Sequence, residues 1–257
     1  MVSTMIMLQY SDRIAHVDTR IDPILIATVC IMDDFERDRD MPELFLAKLT
    51  NGKPVDYYAQ HLKNLAILGG FFQTETVNRI LAICTGVENL VVLAPCDTNL
   101  FKNPRAGRNL RRLTINLGRH FDSMPNFYHA CFAHLTHLHL WDEDWAFYTG
   151  WENLASLTHL AFACASPPQV VQLMQKLPSV RYVALGHYCS GERYKYADVT
   201  VNNEPHIRRA WGIRVVFLRE IPEYDWERGA RGEGDFWNVV EQEVERRLGE
   251  GSLDSVD

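Results

Sequence analysis

Three histidines, three acidic residues and two tryptophans lie within the twelve positions of residues 134–145, "HLTHLHLWDEDW". Imidazole nitrogens are common zinc ligands, and carboxylates serve as metal ligands or as general acids and bases. The composition of this segment therefore raises two kinds of chemistry, metal binding and acid–base catalysis. Either would need structural elements that bring these side chains together, and the spacing of the leucines indicates what those elements are.

The spacing LxxLxL, with aliphatic or aromatic replacements, recurs through the middle of the chain. Six copies begin at Leu62, Val87, Leu110, Leu135, Leu157 and Val180, at intervals of 25, 23, 25, 22 and 23 residues. Leucine-rich repeats have this signature and a period of about 20–29 residues. The sequence therefore predicts an α/β leucine-rich-repeat solenoid, with a curved parallel sheet, helices and irregular segments on its convex side, and irregular repeats of about 22–25 residues.

The remaining segments complete a single predicted domain, residues 1–257. Residues 1–61 are expected to form an N-terminal cap with a degenerate repeat, 62–186 the five to six clear repeats, and 187–257 an excursion, a last strand and a C-terminal capping helix. Weaker copies of the repeat are predicted at Ile26, Val29 and Ile31, and at Ile213, Val216 and Phe217 or Leu218.

Three segments have the apolar spacing of amphipathic helices. "TETVNRILAICTG" has Thr74 as the expected N-cap and Gly86 as a stop signal, and the prolines of "SPPQVVQLMQKLPS" suit a first helical turn. "GEGDFWNVVEQEVERRLGEG" places Phe236, Val240, Val244 and Leu248 at four-residue steps on one helix face. Between Trp141 and Leu157 the pattern predicts no regular helix.

The repeat also assigns a direction to each strand residue, because successive side chains in a strand point to opposite faces. The leucine positions should point into the core, and the residues between them should face the concave surface. The position before the central leucine is Asn64, Asn89, Arg112, His137, His159 and Tyr182, and the position after it is Ala66, Val91, Thr114, His139, Ala161 and Ala184. His137 and His159 should then lie about 5 Å apart on adjacent strands, with His139 close by.

We expect these side chains to form a surface that binds a protein partner, since polar and aromatic residues are enriched at such surfaces. The predicted partner-binding residues are Asn89, Arg112, Thr114, His137, His139, Trp141, His159 and Tyr182. No third or fourth ligand is evident for zinc, so no metal, cofactor or catalytic residue is predicted. The alternative is a metal-dependent or hydrolytic enzyme that uses His137, His139 and His159.

The flanking residues and the known motifs add little to that alternative. His134 should lie in a turn, and Asp142, Glu143 and Asp144 in a solvated loop. Trp141 and Trp145 should lie either in a partner contact or in the core. The motifs GxSxG, GxGxxG, HExxH and the Walker-type glycine loop do not occur.

Composition limits the classes of partner. The net charge of −7 argues against general binding to nucleic acid. Residues 102–119 nevertheless carry six Lys or Arg and no acid, and either bind an acidic peptide, with Arg112 on the concave surface, or form a solvated loop. Six singly spaced cysteines, and the lack of a signal peptide or membrane-spanning run, predict an intracellular protein, cytoplasmic or nuclear, without membrane association.

Several segments resemble the irregular leucine-rich-repeat proteins of mushroom-forming fungi, of the F-box-associated type. They are "DYYAQHLKNLAI", "RILAICTGVENLVV", "FAHLTHLHL" with "LTHLAF", and "RVVFL" leading to "DWERGARGEGDFWNVVEQEVERR". The resemblance implies a solenoid used for recognition, related to substrate receptors of ubiquitin ligases. "MPELFLAKL", from Met41, is similar to the opening of an F-box, but only 12 residues separate Leu49 from Leu62. The chain therefore resembles a member without the F-box, which argues against direct membership of a ubiquitin ligase.

Overall fold

The computed structural model is of the α/β class and contains an open parallel sheet. It describes residues 6–8, 28–32, 41–96, 108–116, 126–141, 144–163, 165, 167–186, 212, 214–218, 225–230 and 233–253. The strands of this part of the chain are β1 (Ile6–Leu8), β2 (Thr28–Met32), β3 (Asn64–Leu68), β4 (Asn89–Val92), β5 (Arg112–Ile115), β6 (His137–Leu140), β7 (His159–Phe162), β8 (Tyr182–Leu185) and β9 (Val215–Phe217). Each strand pairs in parallel with the next one along the chain, so β1 and β9 are the edges.

The strands lie where the repeat predicts them, and their register aligns the copies. Leu65 pairs with Leu90, Leu113 with Leu138, and Leu138 with Leu160. The weak N-terminal copy is also in register, since Val29 pairs with Leu65 and Ile31 with Ile67. Its Ile26 lies outside the described residues, as do Ile213, the predicted excursion at 187–211 and two of the cysteines, Cys164 and Cys189.

One face of the sheet, here called the leucine face, carries these leucine positions and forms the main core. Four helices contribute to the same core through apolar side chains. They are α1 (Met41–Asn51), α2 (Val55–His61), α3 (Thr74–Ile83) and α4 (Pro167–Lys176). Burying these side chains against the sheet supplies most of the stabilisation that short helices lack on their own.

The predicted helices between strands are present with small differences at their ends. In α3, Val77, Ile80, Leu81 and Cys84 are buried as expected. Thr74 is the first helical residue instead of the cap, because Gln73 occupies the N-cap position. Helix α4 begins at Pro167, where a missing backbone N–H has no cost. Among its described residues, the segment after β6 contains two short 3₁₀ turns, Asp144–Phe147 and Trp151–Asn153.

The last strand differs from its prediction by one residue. Val215 pairs with Val183 and Phe217 with Leu185, so these two residues occupy leucine positions. The sequence favoured Val216 for that position, but Val216 pairs with Ala184 and points to the opposite face. The physical reason is that both faces of β9 are covered, so the run "VVF" lacks the alternation that fixes a register.

The opposite face, here called the ladder face, is covered by the C-terminal part of the chain. Helix α6 (Phe236–Leu253) packs Phe236, Trp237, Val240 and Val244 against Ala161, Ala184 and Val216 of β7, β8 and β9. Trp226 of α5 (Asp225–Ala230) packs against Cys30, Ala66, Leu68 and Val91 of β2, β3 and β4. The helix expected as an end cap therefore lies across a face of the sheet.

Candidate functional site

The most chemically diverse cluster in the described part of the chain lies on the ladder face, between the sheet and α6. Strand pairing places Arg112 beside His137, His137 beside His159, and His159 beside Tyr182. Asn89 precedes them on β4, beside Arg112. The predicted adjacency of these five residues is confirmed by this register.

The two histidines stack on each other. The ring centroids of His137 and His159 are 3.9 Å apart with 8° between the ring planes, and Tyr182 stacks on the other side of His159 at 4.6 Å. The Trp237 indole meets both imidazoles edge to face, at 5.3 Å from His137 and 5.4 Å from His159. A helix residue thus closes the side of the cluster that faces away from the sheet.

Acidic side chains of the C-terminal segment pair with the polar ladder. The Arg112 guanidinium donates to the Asp235 carboxylate. His159 Nε2 lies 2.9 Å from Glu241 Oε1, and the Tyr182 hydroxyl donates to Glu245 Oε1 at 2.8 Å. One prediction for Arg112 is a contact with an acidic peptide of a partner. In the structure it pairs instead with an acid of the same chain, Asp235.

The spacing of these acids follows from helix and sheet geometry. Positions 237, 241 and 245 lie on one face of α6, and each step of four residues advances about 6 Å along a helix axis. Neighbouring strands lie about 4.8 Å apart. A helix that crosses the strands therefore offers one side chain to each strand in turn, first to β6, then to β7 and β8.

The start of α6 is fixed by a reciprocal cap. Asp235 Oδ1 accepts a hydrogen bond from the Trp237 backbone N–H at 3.1 Å, and Asn238 Oδ1 accepts one from the Asp235 backbone N–H at 2.9 Å. Such capping satisfies N–H groups that the first turn leaves without helical partners. Asp235 thus orients the helix and neutralises Arg112 at the same time.

Burial keeps the imidazoles neutral. Burial, with smaller contributions from His159 and Arg112, lowers the pKa of His137 to about 2. Burial alone lowers the pKa of His139 to about 3. Burial also lowers the pKa of His159, although the neighbouring Glu241 carboxylate opposes that shift.

His139 does not join the other two histidines. It lies on the ladder face two residues further along β6 than His137, only 3% exposed, with its ring 5.6 Å from Phe236 and 5.8 Å from Trp141. Its Nε2 atom has no hydrogen-bond partner among the described residues. The predicted trio of histidines is therefore a pair, with the third ring in an apolar setting.

The other predicted residues occupy varied positions. Thr114 pairs across the strands with His139 and is half-buried, and Trp141, which follows β6, is also half-buried. His134 lies exposed in the turn before β6, as expected. Trp145 belongs to the core, where its ring lies 4.3 Å from Phe162. Asp142 and Glu143 lie outside the described residues.

A third potential metal ligand comes from a part of the sequence that the histidines did not indicate. The ligand atoms of His137, His159 and Glu241 all lie within 4.8 Å of one another. Glu241 is 82 residues from His159. The only sequence signal for it is the four-residue spacing of acids and apolar residues along α6.

Comparison of the chain with family models, with curated proteins and with solved structures finds no significant match. Among the described helices, none has the length and apolar character of a membrane span.

Proposed function

We propose that the chain is a leucine-rich-repeat protein that acts as a non-catalytic recognition module, and that its ladder face binds a helical segment of a protein partner. The single observation that carries the proposal is the occupied ladder: an amphipathic helix with aromatic and acidic side chains already lies on it. The six copies at 22–25-residue intervals, aligned in one parallel sheet, support the repeat assignment.

The contacts of α6 define what such a partner would offer. Trp237 and Phe236 supply large apolar anchors, and helices that dock through anchors at steps of three and four residues are a common recognition mode. Glu241 and Glu245 supply acceptors for His159 and Tyr182. The expected partner segment is therefore an acidic amphipathic helix that replaces α6. The apparent affinity of the chain for this partner is proportional to the fraction of chains in which α6 is undocked.

The first test uses a synthetic peptide with the sequence of residues 233–253. In the full-length chain, Val240→Asp with Val244→Asp places two carboxylates where buried valines contact the sheet, at 0% and 1% exposure, and should undock α6. We expect the peptide to bind this opened variant at least about tenfold more tightly than the wild-type chain, a difference of about 1.4 kcal/mol.

The matched control is the opened variant with Arg112→Glu added, which has the same exposed apolar surface and a reversed charge on the ladder. Peptide binding should fall in this control, because Asp235 of the peptide would meet a carboxylate. Equal binding to the wild-type, opened and control chains would contradict recognition by the ladder face.

The second test asks whether the ladder face binds a partner protein as well as the peptide. Proteins that the opened variant captures from an extract should be released by the same peptide and should be lost with the Arg112→Glu control. Capture that the peptide does not displace would contradict the proposal. The family resemblance extends the proposal to substrate receptors of ubiquitin ligases, and recovery of an F-box adaptor with the chain would support that extension.

A further inference from the structure

We propose that His137, His159 and Glu241 form a site for a divalent transition-metal ion, with zinc as the best match, and that the ion fastens α6 to the sheet. The three ligands come from β6, β7 and α6, and their ligand atoms lie within 4.8 Å of one another. Two imidazoles and one carboxylate, completed by water, are a known tetrahedral zinc set. The site needs only residues of this chain, but it shares His159 and Glu241 with the surface proposed for partner recognition, so a bound ion would oppose the replacement of α6 by a partner helix.

A second set of contacts orients the imidazoles for this role. His137 Nδ1 lies 2.9 Å from the Thr136 hydroxyl, and His159 Nδ1 lies 2.8 Å from the Thr158 hydroxyl. The same "LTHL" sequence produces both contacts, at equivalent positions of two repeats. A metal-binding histidine usually has its other ring nitrogen hydrogen-bonded, which fixes the tautomer and the ring direction. Each threonine thus leaves Nε2 as the nitrogen that faces the site.

The threonine hydroxyls can hydrogen-bond to the imidazoles both with and without a bound ion. A hydroxyl can donate to or accept from Nδ1. The Thr158 hydroxyl has two acceptors in reach, His159 Nδ1 at 2.8 Å and the Thr136 carbonyl oxygen at 3.2 Å, and in the absence of an ion Nε2–H of His159 donates to Glu241 Oε1. When an ion replaces that proton, Nδ1–H donates to the threonine and the Nε2 lone pair binds the metal. A carboxylate and a nitrogen 2.9 Å apart therefore share either a proton or an ion.

One carboxylate and one paired cation define the charges around the site. Glu241 supplies a negative charge beside the two imidazoles. Arg112, which lies opposite His137 on the neighbouring strand, is itself paired with Asp235. Asn238 Nδ2 lies 3.4 Å from the second oxygen of Glu241 and steadies the carboxylate.

Binding requires one local movement. The stacked rings, 3.9 Å apart and 8° from parallel, direct their Nε2 lone pairs side by side. A tetrahedral ion with Zn–N distances of about 2.0–2.1 Å needs those lone pairs to converge. Coordination by both imidazoles therefore requires the His137 ring to turn out of the stack, which also changes its contact with the Thr136 hydroxyl.

The test uses the full-length chain, purified without a histidine tag, stripped with a chelator and then titrated with zinc. We expect about one equivalent of zinc to remain after desalting and the melting temperature to rise with added zinc. Cobalt in place of zinc should give the visible absorption bands of a four-coordinate site. Less than about a tenth of an equivalent of retained zinc would overturn the proposal.

Three variants locate the ion. Glu241→Gln removes the helix ligand with little change in shape and should abolish the zinc-dependent rise in melting temperature. Thr158→Val should weaken zinc binding by about 10- to 100-fold through loss of the hydrogen bond that orients His159. His134→Gln changes an exposed histidine three residues before His137 and should bind zinc like the wild type. Unchanged zinc binding by Glu241→Gln would assign any bound ion elsewhere and refute the site.

Discussion

Acidification from pH 7.5 to pH 5 should destabilise this fold through two histidines, the half-buried His137 and the buried His139. Burial holds the pKa of His137 at about 2 and that of His139 at about 3. In the unfolded chain the pKa of histidine is about 6.5, so the unfolded state binds protons first as the pH falls. The free energy of unfolding therefore decreases below about pH 6.5, by roughly 1.4 kcal/mol per pH unit for each histidine, which gives about 2 kcal/mol each at pH 5.

The assay is urea denaturation followed by tryptophan fluorescence at pH 7.5, 6 and 5. Carboxylates titrate in part of this range, so the informative quantity is the difference between the wild type and His139→Leu. The variant should lose about 2 kcal/mol less stability at pH 5. At pH 7.5 it should be at least as stable as the wild type, because a buried nitrogen without a partner is removed.

The control is His134→Leu, which changes an exposed histidine in the turn before β6. Its pH dependence should match that of the wild type. Equal loss of stability in the wild type and His139→Leu between pH 7.5 and pH 5 would refute the reasoning, since His139 could not then be buried in its neutral form.

Two further substitutions test how helices on the two faces of the sheet pack against the rest of the fold. Gly86→Ala should destabilise the fold by roughly 1–3 kcal/mol or more, because an added Cβ would lie 1.6 Å from the Ala59 carbonyl oxygen. The control is Gly70→Ala, where an added Cβ has open space around it. Equal urea midpoints for the two variants would contradict this packing. Arg247→Ala should cost roughly 2–4 kcal/mol, because this side chain is 2% exposed and donates both to a carboxylate of its own helix and to a backbone carbonyl of β9. The exposed ion pairs of Arg246 should be worth less than about 1 kcal/mol, so a similar loss in Arg246→Ala would contradict the assignment of Arg247.

The strands and their register were accessible from the sequence because a repeat supplies many observations of one pattern. Leu135, Leu138 and Leu140 are uninformative alone, but five other copies at nearly constant spacing fix where each strand begins. The same alignment predicts His137 beside His159, which the strand register confirms. Register was lost only at β9, where Val215, Val216 and Phe217 give no alternation.

The sequence does not predict in the same way that α6 covers the ladder face. Periodicity identifies the apolar face of α6 but does not say which surface that face packs against. Glu241 and Glu245 occur at helix spacing and therefore resemble solvent-exposed acids in the sequence. Their pairing with His159 and Tyr182 is a contact across 82 and 63 residues, which local spacing does not encode.

One signal for that covering does lie in the repeats themselves. The position after the central leucine should face solvent on an open sheet, yet it is Ala161 on β7 and Ala184 on β8, followed by Val216 on β9, and all three are at most 1% exposed. Small apolar side chains on adjacent strands let a helix approach the sheet closely, whereas the same position on β5 and β6 holds Thr114 and His139. The change from polar residues on β5 and β6 to small apolar residues on β7, β8 and β9 therefore marks where α6 packs closely against the sheet. His137 and His159 lie beside this change, between the polar ladder and the buried side of the helix. A repeat face that combines a polar ladder with Ala161, Ala184 and Val216 on adjacent strands indicates a face that a helix covers, and a partner helix would bind there by replacing α6.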